Sequence, residues 1–472
     1  MIHMKPVVLV MLVWLLPGAV AKDAKSVKPD ALVGVHAQAE GGNADAQFNL
    51  GAMFAKGDGV GKDPAEAVKW WRKAAEQGHA QAQWKLGQML DAGRGVAMDP
   101  AEAVSWYRKA AEQGNPGAQN ALAVHLEAGQ GVAKDVAEAA KWKRQSMTGH
   151  RKLAEQGDAE AQWQLGSHYA AGDAGLKDSA EALKWWRKAA ERESQYANAL
   201  AARYLAGNGV PKNVPEALKW YRKSADQGDP SAQSELGNLY MFARVEGLVP
   251  NPKEGVKWYM KAAAQGNVAA QCNLGAAYYD GIGVKEDLGE AIKWYLKAAD
   301  QGNAFAQLEI GKMYAKGEGV AKDPVEAVKW YRLAAGEVER KIVTEDMPTR
   351  LNTYGEIGAQ VCLGTMYASG EGVVKDPIEA LKWYRKAAER GDAKGQSLMG
   401  AAYENGLGVA VDKNEALVWY NLAAISGDDF YLKDRNRLER LLGSEAAGEA
   451  QRRSKELQQQ IDRNKPAGSG KR

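Results

Sequence analysis

From Asp63 to Gly78 the chain reads DPAEAVKWWRKAAEQG, and its apolar positions follow a helical period. At about 100° per residue, Ala67, Val68, Trp70, Trp71, Ala74 and Ala75 share one face, while Lys69, Arg72, Lys73 and Glu76 fall on the other. Asp63 suits the N-cap, Pro64 the first helical position, and Glu66 can reach back to the cap amide in a capping box. Gly78 suits the left-handed position that ends a helix. The pattern predicts one amphipathic helix of about four turns, too short to hold on its own.

Close copies recur. The first Trp of the motif returns at 70, 106, 142, 185, 220, 258, 294, 330, 383 and 419, mostly at steps of 35 to 38 residues. Each copy keeps an Asp or Asn cap with Glu three residues later, from Asp63/Glu66 to Asp412/Glu415. Before each lies a second apolar pattern, as in Ala44 to Lys56, where Ala46, Leu50, Gly51 and Phe54 share a face. Trios such as Leu86-Gly87-Leu90, Leu165-Gly166-Tyr169, Leu236-Gly237-Tyr240 and Leu274-Gly275-Tyr278 repeat it, and the glycine lets the partner helix approach closely. A fixed period of this size predicts an all-α solenoid of about ten helix–turn–helix units, each burying its apolar face against its neighbours.

The pattern A-x-x-x-L-G-x-x-Y-x-x-G-x-G-V-x-x-D-x-x-x-A-x-x-W-Y-x-x-A-A-x-x-G resembles the Sel1-like repeat family, and Gln271 to Gly302 follows it almost throughout. The resemblance covers residues 44–427. It implies right-handed superhelices of antiparallel helix pairs related to tetratricopeptide repeats, used as scaffolds for protein contact and often secreted or periplasmic in bacteria. It implies no single activity, because function on such a scaffold lies in exposed side chains. Some secreted members staple each repeat with a disulfide; this chain has only Cys272 and Cys362, two repeats apart and too distant to bridge, so both are expected as isolated thiols.

Two departures interrupt the period. The step from Trp142 to Trp185 is 43, with about seven extra residues around 144–151 inside the second helix. The step from Trp330 to Trp383 is 53, with about seventeen extra near 336–357, read either as a tolerated surface loop or as a partner-contacting one. Residues 22–43 read as a capping lead-in, with a helix over Asp30 to Glu40 shielding the first repeat. Residues 428–472 read as two charged capping helices, with Leu438, Leu441, Leu442, Leu457 and Ile461 as buried positions, and a flexible tail.

Residues 1–21 read as a signal peptide: His3 and Lys5, an apolar run from Val7 to Leu16, then Ala19-Val20-Ala21 before the expected cleavage. The run is short of the roughly 20 residues a membrane span needs. The mature chain is therefore expected outside the cytoplasm, periplasmic or secreted, without a transmembrane anchor. Lys and Arg number 62 against 59 Asp and Glu, so no basic field points to nucleic acid.

Candidate chemistry is sparse. Gly57-Asp58-Gly59-Val60-Gly61-Lys62 has the wrong spacing for a phosphate loop and no strand before it. The six histidines show no paired-ligand spacing, so no metal or other cofactor is expected, and His125 and His168 read as partly exposed helix residues. No nucleophile motif is present, and the regular acids are helix caps, so no catalytic residue is assigned. What remains is a surface. The first-helix position three before the central Gly, or its Ala substitute, holds Phe48, Trp84, Asn120, Trp163 and Asn198 in the N-terminal half. In the related tetratricopeptide architecture this face lines the concave groove, which makes these five the candidate partner-binding residues, with packing on neighbouring first helices as the competing role. The expected function is a non-enzymatic protein–protein interaction scaffold. The alternatives are a scaffold for cell-wall or exopolysaccharide assembly, with envelope components or glycans as ligands, and a hydrolase acting on cell-wall-like substrates.

Overall fold

The computed structural model describes residues 29–242, 249–336 and 349–464. The expected signal segment, residues 337–348 of the second insertion and the tail from 465 lie outside the described residues. Regular structure among the described residues is helical, with twenty-two α-helices and one short 3₁₀ turn, Asp173–Gly175.

A lead helix, α1 (Pro29–Glu40), precedes ten helix pairs. The first five are α2 (Ala44–Lys56) with α3 (Pro64–Glu76), α4 (Ala80–Ala92) with α5 (Pro100–Glu112), α6 (Pro116–Ala128) with α7 (Val136–Glu155), α8 (Ala159–Ala171) with α9 (Ser179–Arg192), and α10 (Ser194–Ala206) with α11 (Val214–Asp226). The other five are α12 (Pro230–Phe242) with α13 (Pro252–Ala264), α14 (Val268–Asp280) with α15 (Leu288–Asp300), α16 (Ala304–Lys316) with α17 (Pro324–Ala334), α18 (Thr349–Ser369) with α19 (Pro377–Glu389), and α20 (Ala393–Asn405) with α21 (Lys413–Ala424). A final helical run, α22 (Asp429–Asn464), breaks at Gly443, where the backbone leaves the helical region. The chain divides into two compact units, one running to Ala232 and the other starting at Gln233. The arrangement is the all-α repeat solenoid that the period predicts.

The face assigned to the second helices is the buried one: Ala67, Val68, Trp70, Trp71, Ala74 and Ala75 are all within 7% of full burial. Each such ring, taken out of water, contributes about 1.5–3 kcal/mol. The central glycine of the first helix makes room for it. A Cβ at Gly51 would stand 2.6 Å from Trp71 Cδ1, and Gly237 meets Tyr259 in the same way. In the α6–α7 pair the ring is replaced by Lys143, and there Ala123 stands in place of glycine.

The caps correct one expectation. Asp63 Oδ1 does accept from Ala65 N and Glu66 N, at 2.9 and 3.0 Å, and the N-cap-to-N3 bond is present in all ten pairs. The return half of the capping box is not made, because the cap amide already has a partner. Asp63 N donates to Phe54 O at 2.9 Å, and the other nine cap amides donate likewise to the last turn of their own first helix. Each second helix is thereby tied to the helix before it. The Glu side chain is left to bind elsewhere: Glu102 accepts from Trp106 Nε1 at 3.1 Å and from Arg72 of the preceding pair. Arg72 first, and Trp106 after it, hold the Glu102 carboxyl below its usual range.

A glutamine ladder joins successive pairs. Gln83 Nε2 donates to Ala75 O at 3.1 Å, and Gln113 Nε2 donates to Gln83 Oε1 at 2.8 Å. Gln271 repeats the pattern in the second unit, donating to Ala263 O at 3.2 Å and accepting from Gln301 at 2.8 Å. At Gln119 it fails. Its Oε1 has no protein partner, because the matching position is Gly149, within the inserted residues.

Both insertions reach into helices. α7 has 20 residues against 13 in α5. Seven residues at 100° fall within about 20° of two full turns, so the buried stripe continues through Ala139, Ser146, Met147, His150 and Ala154. In the second insertion, residues 349–357 are helical rather than loop and lengthen α18 to 21 residues. Asn352 Oδ1 accepts from Ala304 N at 2.7 Å, and the rings of Tyr354 and Phe305 lie 6.2 Å apart, so these turns dock on the start of α16. In α22, Leu438 and Ile461 are buried as expected, whereas Leu441 is 61% exposed.

Candidate functional site

The five first-helix positions do not form a uniform surface. Phe48 is half-buried, its ring stacked on His79 at 4.8 Å. Trp84 is half-buried too, lying over Gly117 of the next first helix with Lys85 Nζ 4.3 Å from its ring centre. Asn120 and Asn198 are half-buried. Trp163 differs: it is only 8% exposed, its ring 5.7 Å from Trp186 and 5.5 Å from Tyr196, with the Arg203 guanidinium 5.2 Å away. An exposed anchor is therefore not available at Trp163. The neighbouring ring of Tyr196 in the next first helix covers it, and a single sequence gives no sign of that cover.

The same helices carry charges that sequence reasoning missed. Burial pulls the Lys85 ammonium down. In the second unit burial pushes Glu235 up, while Lys312, also drawn down by burial, is raised on balance by Glu309, 2.7 Å away. Asn238 Oδ1 accepts from Tyr259 Oη at 2.7 Å and from Asn273 Nδ2 at 3.0 Å. Lys85, Glu235, Asn273 and Glu309 stand two before the central glycine, and Asn238 and Lys312 one after it. Those two columns of the repeat were the signal to follow. Each unit thus presents a first-helix face bearing incompletely solvated charge, the kind of surface on which a complementary partner gains specificity.

His125 and His168 are buried, at 5% and 3% exposed, not partly exposed as expected. His125 Nε2 lies 3.0 Å from Asp91 Oδ1 of the preceding first helix, and its Nδ1 lies 2.9 Å from Ala121 O. Polar partners on both ring nitrogens let each imidazole sit in the core. His168 belongs to a larger group. Ser146 Oγ lies 3.3 Å from His168 Nε2, and His168 Nδ1 lies 2.8 Å from Asp173 Oδ2. The order is that of a hydrolytic triad, but Ser146 is fully buried and its hydroxyl donates to Pro116 O at 2.7 Å. Its hydrogen is directed away from the imidazole, so the ring does not activate it. Among the described residues, no group of three or more His, Cys, Asp or Glu side chains is placed to hold a metal ion. Cys272 and Cys362 are both free thiols, and burial pushes the Cys272 thiol well up.

Against known families, the Sel1 repeat model matches ten segments: 44–79, 80–115, 116–145, 159–194, 194–229, 230–267, 268–303, 304–336, 358–392 and 393–428. The chain belongs to the Sel1 repeat family. The matched segments follow the helix pairs and leave out 146–158 and 337–357, where the two insertions fall. Among solved structures, the chain is 33% identical to a protective antigen of uropathogenic Escherichia coli that displays an SLR fold, over 93% of this chain and 99% of that one, with a TM-score of 0.41. It is 30% identical to a Sel1 repeat protein from Oxalobacter formigenes, over 71% of this chain and 90% of that one, with a TM-score of 0.53. Among curated proteins, none matches. Sel1 repeat proteins are generally protein-interaction scaffolds. No helix among the described residues is long and apolar enough to cross a membrane.

Proposed function

We propose that this Sel1 repeat chain is a non-enzymatic scaffold that binds a protein partner outside the cytoplasm, in the periplasm or as a secreted protein. The observation that carries the reading is the first-helix face of each unit. It combines half-buried side chains (Phe48, Trp84, Asn120 and Asn198 in the first unit) with charges that burial has moved off their ordinary titration, such as Lys85 and Glu235. A face built on packed helices has little ordering to lose when a partner docks. The extracytoplasmic part rests on the signal-like residues 1–21. The scaffold for cell-wall or exopolysaccharide assembly differs only in ligand. A hydrolase draws no support from the buried Ser146.

Site-specific photo-crosslinking tests the placement. A photoreactive residue at Asn120 or Asn198, in cells producing the full chain, is expected to give a discrete protein adduct. The same residue at exposed Ser105 of α5 is expected to give none. Adducts from Ser105 alone would move the interface to the second helices and sink the proposed site.

A further inference from the structure

The two turns inserted in α7 bring Ser146 and His150 onto its buried stripe, against His168 of α8. His150 Nδ1 lies 3.0 Å from His168 Nε2, and Ser146 Oγ lies 3.2 and 3.3 Å from the same two atoms. A carboxylate only accepts, so Asp173 Oδ2, 2.8 Å from His168 Nδ1, fixes a hydrogen on that nitrogen. A nitrogen pair at 3.0 Å is held by a single hydrogen, one ring donating and the other presenting a lone pair. With both rings charged, two N–H groups and two like charges would face each other in a site 3–5% exposed.

We propose that the His150–His168 contact is a proton-responsive joint: the folded pair holds one proton fewer than the unfolded pair, so acidification loosens the inserted turns of α7 from α8.

The surrounding charges leave no anion over for a second imidazolium. Asp173, on the 3₁₀ turn after α8, is shared between His168 and Lys143 Nζ, the latter 3.1 Å away. Lys143 of α7 also binds Glu127 of α6 at 2.8 Å. Arg151, next to His150, donates to Tyr169 Oη at 2.6 Å. From α6, the group facing Ser146 is the uncharged Pro116 carbonyl. Burial first, and the His168 charge after it, push His150 from 6.5 down to about 3. The folded value is depressed, so the contribution to stability is complete above about 6.5 and is lost as pH falls toward 3. One proton of difference changes the opening equilibrium by about tenfold per pH unit in that window.

Amide exchange on the full chain between pH 7.5 and 5.0, corrected for intrinsic rates, tests this against His150→Asn, which keeps a neutral N–H donor near the Nδ1 position. Protection of residues 146–157 should fall about tenfold per pH unit below 6.5 in the natural chain, and stay level in the variant. Level protection in both, or the same decline in both, overturns the joint. Should the variant fail to fold, the imidazole Cε1–H resonances of the natural chain decide. One of the two rings should keep its neutral shift at pH 5; two rings titrating together near 6.5 would refute the proposal.

Discussion

Trp186→Ala should destabilise the first unit by about 3–5 kcal/mol, the range for removing a large buried ring. Trp186 is fully buried. Its Nε1 donates to Trp163 O at 3.2 Å and approaches Ser167 Oγ at 3.4 Å. The Arg203 guanidinium lies 4.1 Å from its ring, and a Cβ at Gly166 would stand 2.6 Å from its Cδ1. The alanine variant leaves a cavity bounded by α8 and α10, removes one of the donors to the Trp163 carbonyl, to which Ser167 Oγ also donates at 3.1 Å, and removes the ring against which Trp163 itself packs. In a chain whose repeats contact only their neighbours, the loss is local. Denaturant unfolding should show a lowered midpoint, with amide protection lost first in α8, α9 and α10. A change under about 1 kcal/mol would mean that helix approach at Gly166 does not depend on the ring.

Lys143→Met comes second, at roughly 2–4 kcal/mol, because it leaves two carboxylates of a partly buried network without their shared cation. Lys143 occupies the place of the ring in other repeats, and Ala123 takes the place of the glycine. Burial draws its ammonium down, but Glu127 and Asp173 outweigh burial and the net shift is upward. For Asp173, burial pushes up while His168 and Lys143 together pull the carboxyl below its usual range. A depressed carboxyl stabilises the fold above its unfolded range and ceases to do so as pH falls through the folded one. The cost of Lys143→Met should therefore be complete at pH 7 and shrink below about pH 4, where Asp173 would gain a proton once the ammonium is gone. A cost that does not change with pH, measured by denaturant unfolding, would assign it to packing of the lysine stem instead.

What the sequence disclosed follows from what repetition can encode. The buried stripe of the second helices, the N-caps and the Gly–ring approach recur often enough to be read from ten copies. The reciprocal half of the capping box misled, because Glu66 and its equivalents have the right spacing, yet the cap amide is already bound by a carbonyl of the preceding helix. Features that occur once were hidden. Ser146 and His168 are 22 residues apart and meet only because the inserted segment stays helical and in phase. Trp163 looked like Trp84 by register, but Tyr196 and Arg203 of the next first helix close over it, whereas Gly117 leaves Trp84 partly open.

The scaffold reading is tested most directly by quantitative crosslinked capture from intact envelopes and culture medium, using the chain from Lys22 onward beside its Phe48→Ala/Trp84→Ala variant. Both would be adjusted to the same folded fraction by circular dichroism. If the first-helix face binds the partner, one protein will be captured by the natural chain and its recovery will fall about tenfold or more with the variant, as loss of an aromatic anchor implies. Equal recovery by both, or retention of a glycan and no protein, would contradict it.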